Sequence, residues 1–306
     1  MAPTPVLVFD LGPNLGDNCR GFILLKAFAQ AHPELEVTCW LTPEVETSLG
    51  QLLRKSRAVD KFIAAPRPPR RTFQINQEIF KYLAAQGRAW TWSACPPGQG
   101  PDGQKFAKVI PTGEPWLSAK LLHGQDLDSP EKINQAEFLA AFLDLSQDQA
   151  AQSVPLFGSR VKPERFITLG LCRPDPEDPK QLPPSRRDRV WQAVLDSGLE
   201  VKAVDLQDWA PPPKLPRVQD LRSLSLAEKV DIFNKSALHI GSDGGLLHFA
   251  AACGCPTLGF YAGPGHDPGR VFSPWPVKGP WGKHMYANNF NRYIETLIEK
   301  LNFLSR

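Results

Sequence analysis

From Leu238 to Pro264 the chain reads LHIGSDGGLLHFAAACGCPTLGFYAGP, an order that admits few folds: a short apolar strand, a glycine turn, a small-residue helix and a second apolar strand. The strand Ala237 to Ile240 runs into Gly241-Ser242-Asp243-Gly244-Gly245, where glycine lets backbone N–H groups approach an anion closely. A helix beginning near Gly245 adds its positive dipole end, so the segment outlines a cradle for a diphosphate. Ser242, Asp243 and His248 stand within one turn of that end and offer a hydroxyl, a carboxylate and an imidazole.

The remainder of the chain alternates strand and helix patterns, as a parallel sheet with covering helices requires. Val6 to Phe9 is a buried-strand run, followed by the turn Gly12 to Asp17 and an apolar helix through Phe22, Ile23, Leu24, Leu25 and Phe28. Further strands are predicted over Leu35 to Leu41 and Ala58 to Ala64, with helices over Pro43 to Lys55, Gln74 to Ala85 and Ile133 to Leu145. Ser93 to Ser129 is rich in Gly and Pro and reads as long loops, the kind of segment that carries binding residues. A second half starts after Pro155, with strands Phe166 to Leu171 and Val201 to Asp205 and a helix Arg187 to Ser197. Ser225 and Glu228 have capping-box spacing at the head of a helix to Ser236, and a final helix covers Asn289 to Leu304.

A chain of 306 residues, 42% hydrophobic with regular patterning, is long enough for two cores. It shows no apolar run of about eighteen residues and no signal-peptide pattern, so the expected location is the cytoplasm, including the inner face of the membrane. The six cysteines, Cys19, Cys39, Cys95, Cys172, Cys253 and Cys255, have neither zinc-site nor disulfide spacing, and Cys253-Gly254-Cys255 reads as packing at a turn. A net charge of +3 is too small for an obligate nucleic-acid protein. Locally, though, Arg54, Lys55, Arg57, Lys61, Arg67, Arg70 and Arg71 face the single acid Asp60, either a solvated surface or a hold for an anionic partner. Arg186-Arg187-Asp188-Arg189 is a second basic group, at a helix start that disfavours positive charge.

The glycine-turn run resembles the C-terminal signature of glycosyltransferase family 9, the heptosyltransferase-like family, an Asp-Ser/Thr-Gly-x-x-His-Leu-Ala-Ala-x-x-Gly-x-Pro pattern. Here the pattern stands as Asp243-Gly244-Gly245-Leu246-Leu247-His248-Phe249-Ala250-Ala251, then Gly254 and Pro256, with Gly244 replacing the hydroxyl residue. The turn Leu15-Gly16-Asp17 resembles the end of that family's first strand. The resemblance implies a GT-B type α/β fold, with two Rossmann-like domains whose parallel sheets face a central cleft. Its boundaries here would be 1–155 for an acceptor domain, 156–285 for a nucleotide-sugar domain, and 286–306 for a helix packing back toward the first or only capping the second.

It further implies an inverting, metal-independent transfer from a nucleotide-diphosphate sugar, ADP-heptose by default, to an acceptor hydroxyl. Asp17 would be the general base, although Asp after Gly before a helix is equally an N-cap. Ser242, Asp243, Gly244, Gly245 and His248 would bind the donor, with Arg173 or Lys180 meeting its diphosphate, since a guanidinium can grip phosphate in bidentate fashion. Tyr261 or His266 would lie beside the base, or serve packing alone. Asn14, Arg67, Arg70 and Arg71 are the acceptor candidates. The expected partners are the nucleotide sugar, an anionic glycan or lipid-linked acceptor and a peripheral membrane surface, with nucleic acid less favoured. No cofactor is expected, because a helix dipole, backbone amides and a cation already meet the diphosphate, and Asp126-Leu127-Asp128, a D-x-D tripeptide, lies outside any strand pattern. The alternatives are a non-catalytic nucleotide-sugar or glycan-binding module and a nucleotide-sugar epimerase on the same frame.

Overall fold

The computed structural model describes residues 4–9, 15–64, 108–110, 145–159, 161–172, 177, 181–206, 211–260, 278–279, 282–283, 285–287 and 289–306. The chain divides into two compact units, Met1–Leu156 and Phe157–Arg306.

The first unit runs β1 (Thr4–Phe9), α1 (Leu15–Ala31), β2 (Leu35–Leu41), α2 (Pro43–Val45), a π-helical turn (Glu46–Gly50), α3 (Gln51–Ser56), β3 (Lys61–Ala64), β4 (Lys108–Ile110) and α4 (Gln147–Gln152). Its strands are parallel in the order β3-β2-β1-β4. β2 is buried at every position but one, as expected of a parallel strand covered on both faces. The helix expected from Pro43 is interrupted by the π turn, over which the Glu46 carboxylate reaches both terminal nitrogens of Arg54 at 2.6 and 3.0 Å. The strand expected from Ala58 starts only at Lys61. Asp60 turns the chain into the sheet, its N–H donating to Val37 O at 3.0 Å and its carboxylate accepting Val37 N–H at 2.7 Å. β4 corrects the reading of 93–129 as loops alone: three residues, Lys108-Val109-Ile110, pair with β1 but are too few to show a period.

The second unit runs β5 (Phe166–Gly170), α5 (Pro184–Asp196), β6 (Glu200–Ala203), β7 (Val218–Asp220), α6 (Leu226–Lys235), β8 (Leu238–Ser242), α7 (Gly245–Ala252), β9 (Thr257–Phe260), β10 (Lys278–Gly279), β11 (Gly282–Lys283), β12 (Met285–Ala287) and α8 (Phe290–Ser305). Its main sheet is parallel, in the order β12-β9-β8-β5-β6-β7. This is the doubly wound order whose direction reverses between β5 and β8, the place where such sheets open a crevice at their carboxyl ends. β5, β8 and β9 are buried throughout, their mostly apolar residues taking Thr168, His239, Ser242 and Thr257 inside with them.

Local signals place the helices. Ser225 and Glu228 form the expected capping box at the head of α6. Asn289 caps α8, its side-chain oxygen accepting Asn291 N–H at 3.0 Å and Arg292 N–H at 3.3 Å. α7 ends where Gly254 takes φ +84°, a left-handed conformation costly for other residues. The buried face of the tail helix, Phe290, Tyr293, Ile294, Leu297 and Leu301, belongs to the second unit's core. Phe290 and Tyr293 lie 5.6 and 5.5 Å from the Phe260 ring.

Candidate functional site

The glycine turn sits at the carboxyl end of β8, beside the point where the strand order reverses. α7 begins at Gly245, and its residues Leu246 through Ala252 are all buried, so the helix is held on every side with its amino end at the turn. Asp243, Gly244 and Gly245 are half-exposed there. The Asp243 N–H donates to Phe260 O at 2.8 Å, tying the turn to the end of β9. Gly244 is the N-cap and supplies no side-chain cap. Its φ of −179° is extended backbone open to any residue, so its glycine is not demanded by conformation.

Close approach explains two other glycines. Gly170 and Gly241 face each other in the β5–β8 ladder. A Cβ on Gly241 would lie 3.1 Å from His239 Nε2, and one on Gly170 would lie 2.8 Å from a Leu246 methyl and 3.2 Å from His239 Cε1. His239 is fully buried, its Nδ1 3.1 Å from Thr168 Oγ1 and its ring edge-on to Phe233 at 5.2 Å. Burial pushes its pKa down to about 3, so a neutral imidazole underlies the turn.

A second cluster lies one strand over. Asp205 follows β6 and is 6% exposed, and its Oδ1 accepts the Cys172 N–H at 2.8 Å. Burial raises this carboxyl to about 7, opposed by that hydrogen bond and by the charges of Arg222, Arg187 and Lys229. Burial and the Asp205 charge likewise raise the Cys172 thiol to about 11. Beside them is a cleft of about 370 Å³ bordered by Leu171, Arg187, Trp191, Asp205 and Pro212. The basic group at the start of α5 is largely exposed, with its arginines lying on neighbouring side chains. Arg186 and Arg189 each stack 5.1 Å over Phe290, and Arg187 donates to Cys172 Sγ at 3.5 Å.

Ser242, Asp243, Gly244, Gly245 and His248 are thus gathered at the head of α7. Within this group the Ser242 hydroxyl is buried and donates to Leu171 O at 3.2 Å, and His248 is 5% exposed. Asp17 is the third residue of α1, so it is not the N-cap that its place after Gly16 suggests. Asn14, Arg67, Arg70, Arg71, Asp126, Asp128, Arg173, Lys180, Tyr261 and His266 lie outside the described residues. Asp205 and His239 are not singled out by the sequence, and Cys172 only as one of six scattered cysteines. Asp205 reads there as an ordinary strand-end acid, and its partner lies 33 residues away. Cys253 and Cys255 are both buried, Cys255 Sγ donating to Pro256 O at 3.3 Å, which fits the packing reading. Among the described residues no helix is long and apolar enough to cross a membrane.

No family model and no curated protein sequence matches the chain. Solved structures do. An E. coli heptosyltransferase, WaaC, solved with ADP, is similar over 97% of this chain and 100% of its own, with a TM-score of 0.58 and 16% identity. A family 9 glycosyl transferase from Veillonella parvula gives 0.53 at 15% identity over 100% and 98% of the two chains. The ADP-heptose lipopolysaccharide heptosyltransferase II of E. coli gives 0.53 at 14% identity over 99% and 98%. At such identities the likeness shows the fold, and that fold is the GT-B type α/β class expected from the resemblance.

Proposed function

We propose that the protein is a glycosyltransferase of the heptosyltransferase type, moving a heptose-like sugar from a nucleotide-diphosphate donor, ADP-heptose by default, to an acceptor hydroxyl. The observation that carries this reading is the half-exposed turn Asp243-Gly244-Gly245 at the amino end of α7, on the strand next to the sheet's reversal point. Backbone N–H groups and the helix dipole meet the diphosphate there, and their charge stabilises the leaving nucleotide as the glycosidic bond breaks. This supply of positive potential lets the transfer proceed without a metal ion, and Arg173 or Lys180 completes it. The Asp243 carboxylate accepts hydrogen bonds from sugar hydroxyls. Asp17, in the first turn of α1, takes the acceptor's proton as the hydroxyl attacks the anomeric carbon from the face opposite the leaving group, inverting its configuration.

On this reading 1–155 binds the acceptor and 156–285 the donor. The acceptor is an anionic glycan or lipid-linked sugar held by Asn14, Arg67, Arg70 and Arg71, with peripheral membrane contact. Tyr261 is the residue proposed to stack on the base. Calorimetry with ADP-, UDP-, GDP- and CDP-sugars, in metal-free buffer, tests it. One donor class is expected to bind the wild type, with Asp243→Ala weakening it at least tenfold. No binding by any of them would reduce the turn to structure alone. Binding without transfer to any acceptor would leave a nucleotide-sugar-binding module.

A further inference from the structure

We propose that Asp205 and Ser242 are positioning residues that together clamp one peptide group, Leu171–Cys172, and so set the crevice between the ends of β5 and β8 where the donor's diphosphate is held; this rests on the donor reading above. Two side chains from opposite neighbours of β5 grip the two poles of the same peptide plane. The Ser242 hydroxyl, at the end of β8, donates to the Leu171 carbonyl at 3.2 Å. The Asp205 carboxylate, just past β6, accepts the Cys172 N–H at 2.8 Å. β5 lies between β8 and β6 in the sheet, so the grips come from its two sides.

The backbone pairing has already stopped at this peptide. The register of β5 with β8 ends at Gly170 opposite Gly241, and that with β6 ends at Leu169 opposite Ala203. The side chains therefore carry the hydrogen bonding beyond the ladder, at the strand end where the sheet's direction reverses. A trans peptide is a rigid plane, and holding both its poles removes the rotation by which a loop's first residue would otherwise turn. Ser242 also precedes Asp243 directly. One side chain thus links the exit of β5 to the glycine turn, and a shift of the clamped peptide alters the width of the crevice beside that turn.

The clamp has a titratable arm. Asp205 faces Arg187 from α5, Arg222 from the turn after β7, Lys229 from α6 and the Cys172 thiol from the loop after β5, and Asp188 borders the same cleft. Lys229 is held in turn, donating to the carbonyls of Arg222 and Leu224. Burial places the carboxyl's titration near neutrality, at about 7. Its ionised form is the stronger acceptor, so the grip on the Cys172 amide tightens as pH rises through that range.

The experiment combines two readouts on the full chain. Protein labelled with 15N only at cysteine reports the Cys172 amide by NMR between pH 5.5 and 8.5, and calorimetry with ADP, UDP, GDP and CDP reports donor-site affinity. The Cys172 resonance is expected to follow a one-proton curve with a midpoint near 7. Asp205→Asn should flatten that curve, because its amide carbonyl accepts the N–H without titrating. Asp205→Ala and Ser242→Ala should each weaken nucleotide binding about five- to fiftyfold, the scale of one buried hydrogen bond left unmade. Asp205→Asn should recover affinity to within about threefold of the wild type, which a merely bulk-filling residue would not predict.

A Cys172 amide resonance that is the same in the wild type, in Asp205→Asn and in Asp205→Ala throughout this range would overturn the clamp. A titrating amide with full nucleotide affinity in both alanine variants would overturn its role at the donor site. If Asp205→Ala does not fold, Ser242→Ala and the wild-type titration decide the matter. A wild type that binds none of the four nucleotides refutes the donor reading, and the clamp is then judged by the Cys172 titration alone.

Discussion

The two units share a strand order at their centres, β3-β2-β1-β4 in the first and β7-β6-β5-β8 in the second, yet the informative helix start comes after a different strand in each. In the first unit it follows β1, and α1 carries an acid, Asp17, as its third residue. In the second it follows β8, and α7 opens with Gly245-Leu246-Leu247 and no acid in its first turn. A carboxylate in the first turn complements the helix dipole from within. A glycine opening with no acid and no side-chain cap leaves that positive end for a ligand. The same frame thus offers two helix starts of opposite character, and on the proposed reading the first handles a proton and the second holds a phosphate.

Exchanging those characters tests the contrast. The largest effect is expected from Asp17→Asn, which keeps size and polarity but removes the base. kcat should fall about 10²- to 10⁴-fold in a transfer assay while donor affinity by calorimetry stays the same. An equal loss of donor affinity would mean that α1 also serves the phosphate site. Next comes Gly244→Asp, which gives α7 the carboxylate that α1 already has. The extended backbone at 244 accepts the side chain. Nucleotide affinity should drop about ten- to a hundredfold from like-charge repulsion, while the melting temperature rises with the new cap. A variant that binds nucleotide as well as the wild type would show that the head of α7 is not where the diphosphate lies. The smallest effect belongs to Gly244→Ser, the hydroxyl found in the family pattern. It should stabilise the protein by only a few tenths of a kcal/mol, read as a small rise in melting temperature, with donor affinity kept or improved. A clear loss of affinity would argue that the backbone of glycine, rather than a missing hydroxyl, matters at 244.

Legibility divided along similar lines. β2, β5, β8 and β9 announce themselves because parallel strands buried on both faces are mostly apolar, and α6 because its capping box is complete within four residues. β7 and β4 do not. Val218-Gln219-Asp220 is an edge strand with one apolar residue, and Lys108-Val109-Ile110 takes its place only by pairing with β1. The basic group Arg186 to Arg189 suggested a search for an anion, but its neighbour is the face of Phe290, about a hundred positions on. The turn at Asp243 was legible because all its parts lie within a dozen residues. The carboxylate of Asp205 was not, because what distinguishes it is burial beside an amide that the sequence leaves 33 positions away.

By itself, then, the sequence determined the alternation of strands and helices, the head of α7 with its glycine turn, and the choice of an acid on α1, since each depends on neighbours within a turn or a strand. Only the tertiary structure decided that β5 lies between β8 and β6, that Asp205 and Ser242 meet on one peptide, and that the tail helix belongs to the second unit's core. These follow from which strands pair and which faces are buried. Such long-range contacts are selected by the free energy of the whole packed unit rather than by any local pattern.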